Sequence, residues 1–374
     1  MNEIRTPAAL IDTLRMRRNI ERMQERMNRM GVAFRPHVKT SKCLRVAEAQ
    51  RAAGARGITV STLKEAEQFF AGGFTDITYA VGISEGRLPQ AEALIGMGCA
   101  LSILTDSLEA ARMIAGYAKK SGTAFRVLIE IDTDGHRSGV RPDDPGLPDI
   151  AAALTEGGCT VEGVLTHAGS SYEFSERSAL ESLAEQERAG CVRAAERLRA
   201  AGFPCPVVSV GSTPTAICAT DLTGVTEVRA GVYVFFDLVM CNVGVATPDD
   251  VALSVLATVI GHQKEKGWAI VDAGWMAMSR DRGTARMGKD YGYGQVCDLS
   301  GKVLPGYVVS GANQEHGIIS LETGMDREIS DHFPIGARLR ILPNHACATG
   351  AQFPEYHALL ENGETEVWPR FYGW

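Results

Sequence analysis

The chain has 374 residues, 45% hydrophobic and 22% charged, with a formal net charge of -7. That length exceeds one ordinary core, so two domains are expected, one of them a large α/β barrel. The composition is globular, and an acidic chain with no basic cluster interleaved with aromatic residues is expected to bind neither nucleic acid nor a membrane surface.

Nine cysteines, scattered from Cys43 to Cys347, show neither C-x-x-C nor a disulfide framework. The start, Met1 to Thr6, lacks the charged and apolar segments of a signal peptide. No apolar run approaches the roughly 20 residues needed to span a bilayer. A cytoplasmic location with reduced thiols and a small-molecule partner is therefore expected.

From Leu10 to about Val234, short β-branched runs alternate with helical patterns, the rhythm of a parallel sheet. Ile20, Met23, Met27 and Met30 fall at helical spacing, and Gly31 suits the left-handed end of that first helix. Strands are predicted over 32–39, 57–60, 76–81, 100–105, 126–131, 161–167, 207–210 and 227–234, about the eight that close a (β/α)8 barrel. Helices are predicted over 43–53, 62–71, 88–97, 107–120, 146–156 and 176–201, with a short one near Thr215. After about Asp237 the pattern turns to strands, over 251–260, 267–271, 303–310, 317–321 and 337–342, separated by Gly, Asp and Pro turns. The fold class is α/β: a barrel over 8–237 and a second, mostly β domain over 238–374 together with residues 1–7.

Barrel enzymes carry reactive groups at the C-terminal ends of their strands. On this reading Lys39, Arg137, His167 and the run Gly211, Ser212, Thr213 share one rim. Lys39 is either a surface lysine at a strand end or a Schiff-base amine, which needs partial desolvation to lower its pKa. The glycine-led run is either an ordinary helix cap or, with backbone N–H groups and two hydroxyls, a phosphate cradle. Arg229 to Tyr233 falls at the eighth strand, near the other place where barrels bind phosphate. Near the C-terminus, His345-Ala346-Cys347 follows an apolar run. If that run is a strand, alternation sends 345 and 347 to one face, where imidazole and thiolate grip one divalent metal. The alternative is a buried cysteine beside a satisfied histidine.

Several segments carry a family resemblance. Thr6-Pro7-Ala8, Arg35-Pro36-His37-Val38-Lys39-Thr40, Ile131 to Gly139, His167-Ala168-Gly169-Ser170-Ser171-Tyr172 and Val210-Gly211-Ser212-Thr213-Pro214 are similar to the D-serine dehydratase and D-threonine aldolase family. Asp272-Ala273-Gly274, Gln314-Glu315-His316-Gly317 and Pro343 to Cys347 extend the likeness over essentially the whole chain. The resemblance implies an alanine-racemase-like barrel holding pyridoxal 5'-phosphate, with Lys39 as the imine-forming residue. It implies phosphate binding by Gly211, Ser212, Thr213, Gly231 and Val232, an arginine near the pyridine nitrogen at Arg229, and one divalent metal (Zn, Mn or Mg) on His345 and Cys347. Arg137, His167, Tyr172, Tyr233 and His316 are candidates for orienting the ring or substrate, Tyr172 and His316 among the catalytic set.

The expected activity is dehydration of a D-3-hydroxy amino acid, 3-hydroxyaspartate giving oxaloacetate and ammonia, serine giving pyruvate. Lys39 is the expected base at Cα; the resemblance implies dehydration from cysteine at 347, where several aldolases of the family carry aspartate, and a thiolate favours a softer ion. Retro-aldol cleavage to glycine and an aldehyde is the rival, and a non-catalytic pyridoxal phosphate binding protein a third reading. A distal substrate carboxylate needs a cation, for which Arg280, Arg282 and Arg286 share one loop that otherwise reads as a solvated face. A homodimer is expected.

Overall fold

The computed structural model describes residues 3–322 and 328–374. Met1, Asn2 and residues 323–327, assigned above to the β domain, lie outside the described residues. Two compact units are present: Glu21–Gly231 with Phe371–Trp374, and Met1–Ile20 with Val232–Arg370. The helix Thr13–Arg29 runs through the boundary between them; it buries Ile20, Met23 and Met27 and stops at Gly31, whose φ of 72° is left-handed.

The first strand, β1 (Ala8–Asp12), belongs to the second unit. The barrel unit is built on β2 (Ala33–Phe34), β3 (Ile58–Val60), β4 (Asp76–Gly82), β5 (Ala100–Thr105), β6 (Arg126–Ile131), β7 (Thr160–Thr166), β8 (Val207–Val210) and β9 (Glu227–Val228). All eight are parallel, in the order β2-β9-β8-β7-β6-β5-β4-β3. The chain beyond β2 returns the sheet to its start: His37 bridges Thr59, and Val38 N–H donates to Thr59 O over 2.9 Å. Helices Leu44–Ala52, Leu63–Ala71, Leu88–Gly96, Leu108–Ser121, Leu147–Glu156, Arg177–Ala200 and Thr213–Cys218 fill the crossovers. Thr62 and Ser107 cap two of them by accepting from Glu65 N and Ala110 N. Leu104, Leu128 and Leu165, on three successive strands, form one buried layer.

Two predicted barrel strands are much shorter than the sequence suggests. The run 32–39 keeps only β2, because Pro36 has no N–H for the ladder; Val38 to Lys42 then closes a turn through Lys42 N to Val38 O at 2.8 Å. Lys39 thus sits in a turn rather than on a strand end. The run 227–234 keeps only β9, and Val232–Val234 becomes a short 3-10 helix.

In the second unit the strands are β1, β10 (Leu253–Gln263), β11 (Trp268–Val271), β12 (Gly294–Cys297), β13 (Val303–Ala312), β14 (Gly317–Leu321), β15 (Arg338–Pro343), β16 (Glu355–Leu359) and β17 (Thr365–Pro369). Their order is β11-β14-β13-β12-β15-β10-β1-β16-β17, and β11 also pairs with β10, so six strands close on themselves while β1, β16 and β17 extend the sheet. β1 lies antiparallel to β10 (Ala8 opposite Leu256) and parallel to β16 (Leu10 opposite His357). A barrel beginning at residue 8 is therefore corrected: Ala8–Asp12 completes the β sheet, while Phe371–Trp374 joins the barrel unit. None of the described helices is long and apolar enough to cross a membrane.

Candidate active site

Two groups of chemically capable side chains stand out, one in each unit. In the barrel unit Lys39 is exposed, whereas the sequence reading expected a partly desolvated amine. Its ammonium still faces the rim, since its charge presses on both His37 and His167. Burial, joined by the charges of Lys39, Arg229 and His167, pushes His37 well below the usual imidazole range. Burial likewise lowers His167 to about 3, against the pull of its Nδ1–H bond to Gly211 O at 3.0 Å. Two neutral imidazoles therefore flank the lysine. Tyr172, from the short 3-10 helix Gly169–Glu173, holds its ring centroid 6.2 Å from that of His167.

Arg229 is buried, donating to Ser209 Oγ at 2.5 Å and Thr166 O at 2.6 Å, and burial lowers its pKa against the charges of Glu227 and Glu187. Arg137 is exposed and pairs with Glu130 at 3.3 Å. The structure brings Lys39, Arg137 and Arg229 within electrostatic reach of the His167 imidazole. Gly211 (φ 130°) and Gly231 let backbone pack closely beside them. A Cβ on Gly211 would lie 2.3 Å from Arg229 O, and one on Gly231 would lie 3.1 Å from His37 O and 3.2 Å from Thr40 Oγ1. The Ser212 hydroxyl, expected to be offered to phosphate, is engaged instead. It caps Thr215 N at 3.2 Å and meets Ser171 Oγ at 2.8 Å. A lysine, two arginines and two neutral rings at one rim fit a phosphorylated planar aldehyde such as pyridoxal phosphate.

In the β unit, β15 ends at Pro343. His345 is therefore not strand-borne: it precedes the short helix Ala346–Gly350, with Cys347 in its first turn. Imidazole and thiol nevertheless meet in a hydrogen bond. Burial opposes charge on His345, but its bonds to Asp281 and Cys347 and the charges of Cys347 and Asp237 hold it up at about 11. The Nδ1–H donates to Asp281 Oδ2 at 2.6 Å, so Nε2 is the nitrogen that would bind a metal, once the ion displaces its proton. Buried Asp237 accepts from Ala346 N at 2.9 Å and Met240 N at 3.0 Å, tying the start of the His345 helix to helix Leu238–Val243. Among the described residues no group of three His, Cys, Asp or Glu side chains is arranged to hold a metal. One imidazole nitrogen and one thiolate fit an open, borderline-soft divalent site whose other positions fall to water or substrate.

The arginine loop is clamped to this pair. Besides Asp281 on His345, Thr284 Oγ1 donates to Asn344 Oδ1 at 3.2 Å and Asn344 Nδ2 to Gly292 O at 2.7 Å. Arg280 lies 4.9 Å over the Trp275 ring and Arg282 pairs with Asp290 at 2.9 Å. Arg286 is exposed, with no such partner among the described residues. Exposed His316 lies in the turn before β14, packed beside Gly274, whose Cβ would fall 2.5 Å from His316 N. Val232 and Tyr233 are buried in their 3-10 helix. Sequence reasoning missed Asp281, Asp237 and Glu187; the last is buried on helix Arg177–Ala200 and accepts from Ala168 N at 2.8 Å and Gly211 N at 3.1 Å. Asp281 opens a local turn in which Gly283 N–H donates to Asp281 Oδ1 at 2.8 Å, a pattern that carries no sign of His345.

A parallel α/β barrel with a lysine in a rim turn, joined to a β unit bearing a His–Cys pair, is the architecture of a cofactor-dependent enzyme of amino-acid chemistry. Residues 11–239 match the family model "Alanine racemase, N-terminal domain", and residues 252–359 match "Putative serine dehydratase domain". The chain belongs to this family of alanine-racemase-fold dehydratases. It is 67% identical to D-threo-3-hydroxyaspartate dehydratase of Delftia sp. (strain HT23), over 99% of this chain and 98% of that protein. It is 30% identical to D-serine dehydratase of Dictyostelium discoideum, over 97% and 95%. A solved structure of D-threo-3-hydroxyaspartate dehydratase with a cysteine-to-alanine change, in the metal-free form, superposes with a TM-score of 0.98 at 66% identity, covering 100% of this chain and 99% of that one.

Proposed function

We propose that the protein is a metal-assisted, pyridoxal-phosphate-dependent dehydratase that converts D-threo-3-hydroxyaspartate to oxaloacetate and ammonia, and also D-serine to pyruvate. The identity of 67% over nearly the whole chain supports the activity. The observation that carries the chemistry is the pairing of Lys39 with two neutral imidazoles in one unit and of His345 with Cys347 and Asp281 in the other. When bound, pyridoxal phosphate supplies an electron sink for charge at Cα, and a divalent ion supplies a Lewis acid for a departing hydroxyl.

Lys39 would hold the cofactor through Nζ, and its amine is the group assigned to receive the Cα proton. Gly211, Ser212, Thr213, Gly231 and Val232 are assigned to the phosphate. Arg229 is assigned to the ring nitrogen, and Arg137, Tyr172, Tyr233 and His316 to orientation. His345 through Nε2 and Cys347 through its thiolate would hold the ion, zinc being the best match to sulfur. Arg286, on the loop clamped to that pair, is assigned to the distal carboxylate. A cytoplasmic homodimer is the form proposed for the active enzyme.

Separate incubations with D-threo-3-hydroxyaspartate, D-serine and D-threonine test the reading. Keto acid with ammonia is the expected product of the first two. Glycine with an aldehyde as the main product overturns it.

A further inference from the structure

The turn that carries Lys39 is fastened by residues outside the proposed set. Val38, Thr40 and Ser41 are buried on either side of the exposed Lys39, and the turn ends at Lys42. Lys42 has a φ of 44°, a left-handed conformation that residues with a Cβ seldom adopt. Its ammonium pairs with Glu65 Oε1 at 2.9 Å; Glu65 is 1% exposed and also accepts from Ser61 N at 3.0 Å and Ser61 Oγ at 2.9 Å. The Lys42 carbonyl accepts from Phe371 N at 2.7 Å, so the end of the chain returns to this turn. The Phe371 ring meets Phe69 edge-on at 5.0 Å, and Thr62 Oγ1 donates to Gly373 O at 3.4 Å.

Two locally unfavourable features thus meet three residues beyond Lys39: a lysine in the left-handed region and a desolvated ion pair. Such features persist where surrounding structure over-determines them, and they cluster where geometry matters to chemistry. We propose that Lys42, Glu65 and the backbone of Phe371 are positioning residues that fix the turn of Lys39, and so the direction from which its amine reaches the cofactor and the substrate's Cα. The proposal rests on Lys39 being the cofactor-bearing lysine. Glu65 supplies the fixed anion, Lys42 converts it into a backbone restraint, and Phe371 closes the turn from the far end of the sequence.

The test uses holoenzyme with Lys42→Met, Lys42→Arg and Glu65→Gln, and a chain ending at Arg370. It reads kcat and KM separately, together with visible circular dichroism of the bound cofactor, which reports its orientation. In Lys42→Met, kcat is expected to fall about tenfold or more with KM within about twofold, as misplacement of a reacting group demands. The dichroic band should weaken in parallel, and Lys42→Arg should recover both. Lys42→Met with unchanged kcat and band overturns the proposal, even if the protein melts earlier. Should the shortened chain fail to fold, the Lys42→Met and Lys42→Arg pair decides. Lys39→Ala separates the two readings. If it keeps the visible band, the role of Lys39 falls; if it loses the band while Lys42→Met behaves as wild type, only the clamp falls.

Discussion

Asp281→Ala probes the structure's arrangement for metal binding without touching either proposed ligand. Asp281 Oδ2 receives the His345 Nδ1–H at 2.6 Å, while Asp281 Oδ1 receives Gly283 N–H at 2.8 Å. One carboxylate therefore sets the ring's tautomer and orientation and also anchors the arginine loop. A hydrogen bond to a charged group contributes about 1.5–3 kcal/mol, and the lower half of that range applies because both side chains are more than a third exposed. Loss of such a carboxylate–histidine contact costs roughly tenfold to a hundredfold in metal affinity, or about 1.4–2.7 kcal/mol. Asp281→Asn should lose less, because its amide oxygen can still accept from Nδ1–H without the charge. Competition for zinc against a chromophoric chelator at fixed pH measures both variants. Alanine at 281 binding zinc within about twofold of wild type would refute the reasoning, since a free imidazole could then do as well as an oriented one.

Three further outcomes follow from the geometry. Gly211→Ala forces a Cβ to 2.3 Å from Arg229 O at a φ of 130°, so it should cost at least about 1–3 kcal/mol of strain and weaken pyridoxal phosphate binding; unchanged cofactor titration and Tm would contradict this. Folded His167 is neutral down to about 3 and unfolded His167 only to 6.5, so in that window the unfolded chain binds the extra proton and stability falls as pH falls. The slope from this group is at most about 1.4 kcal/mol per pH unit, and His167→Asn should flatten the dependence of the urea midpoint between pH 4.5 and 6.5; equal slopes would exclude it. Arg286→Ala should raise KM for D-threo-3-hydroxyaspartate about tenfold while leaving that for D-serine nearly unchanged, and equal effects on both would remove its pairing with a distal carboxylate.

Much of the barrel was legible because its strands are β-branched and spaced by helices whose caps, such as Thr62 and Ser107, stand in the sequence. Its rim was legible for the same reason: side chains just beyond β7 and β8 must face the mouth, which put His167 and Gly211 in place. What remained hidden depends on partners far away in the chain. The run Ala8–Asp12 is apolar enough for either sheet, and only pairing with β10 and β16 assigns it to the second. β16 and β17 carry polar and charged residues on an outer hairpin and give a weak strand signal. His345 and Cys347 were expected on one strand face; the helix beginning at Ala346 brings them together by another route. Asp281, which orients His345, lies 64 residues earlier, and no local pattern marks that contact. Glu65 and Phe371, which fasten the Lys39 turn, are likewise invisible to local periodicity. The Thr6 and Asp272 segments, which carried part of the resemblance, meet directly, with Thr6 Oγ1 donating to Asp272 Oδ2 at 2.5 Å, so that part of the likeness reports folding of the β unit.

The most direct test of the account is to reduce the holoenzyme with borohydride and map the pyridoxyl group by peptide mass. The account predicts one modified residue, Lys39, and no modification of a folded Lys39→Ala protein under the same conditions. A pyridoxyl group on any other lysine, with the Lys39 peptide unmodified, would contradict it.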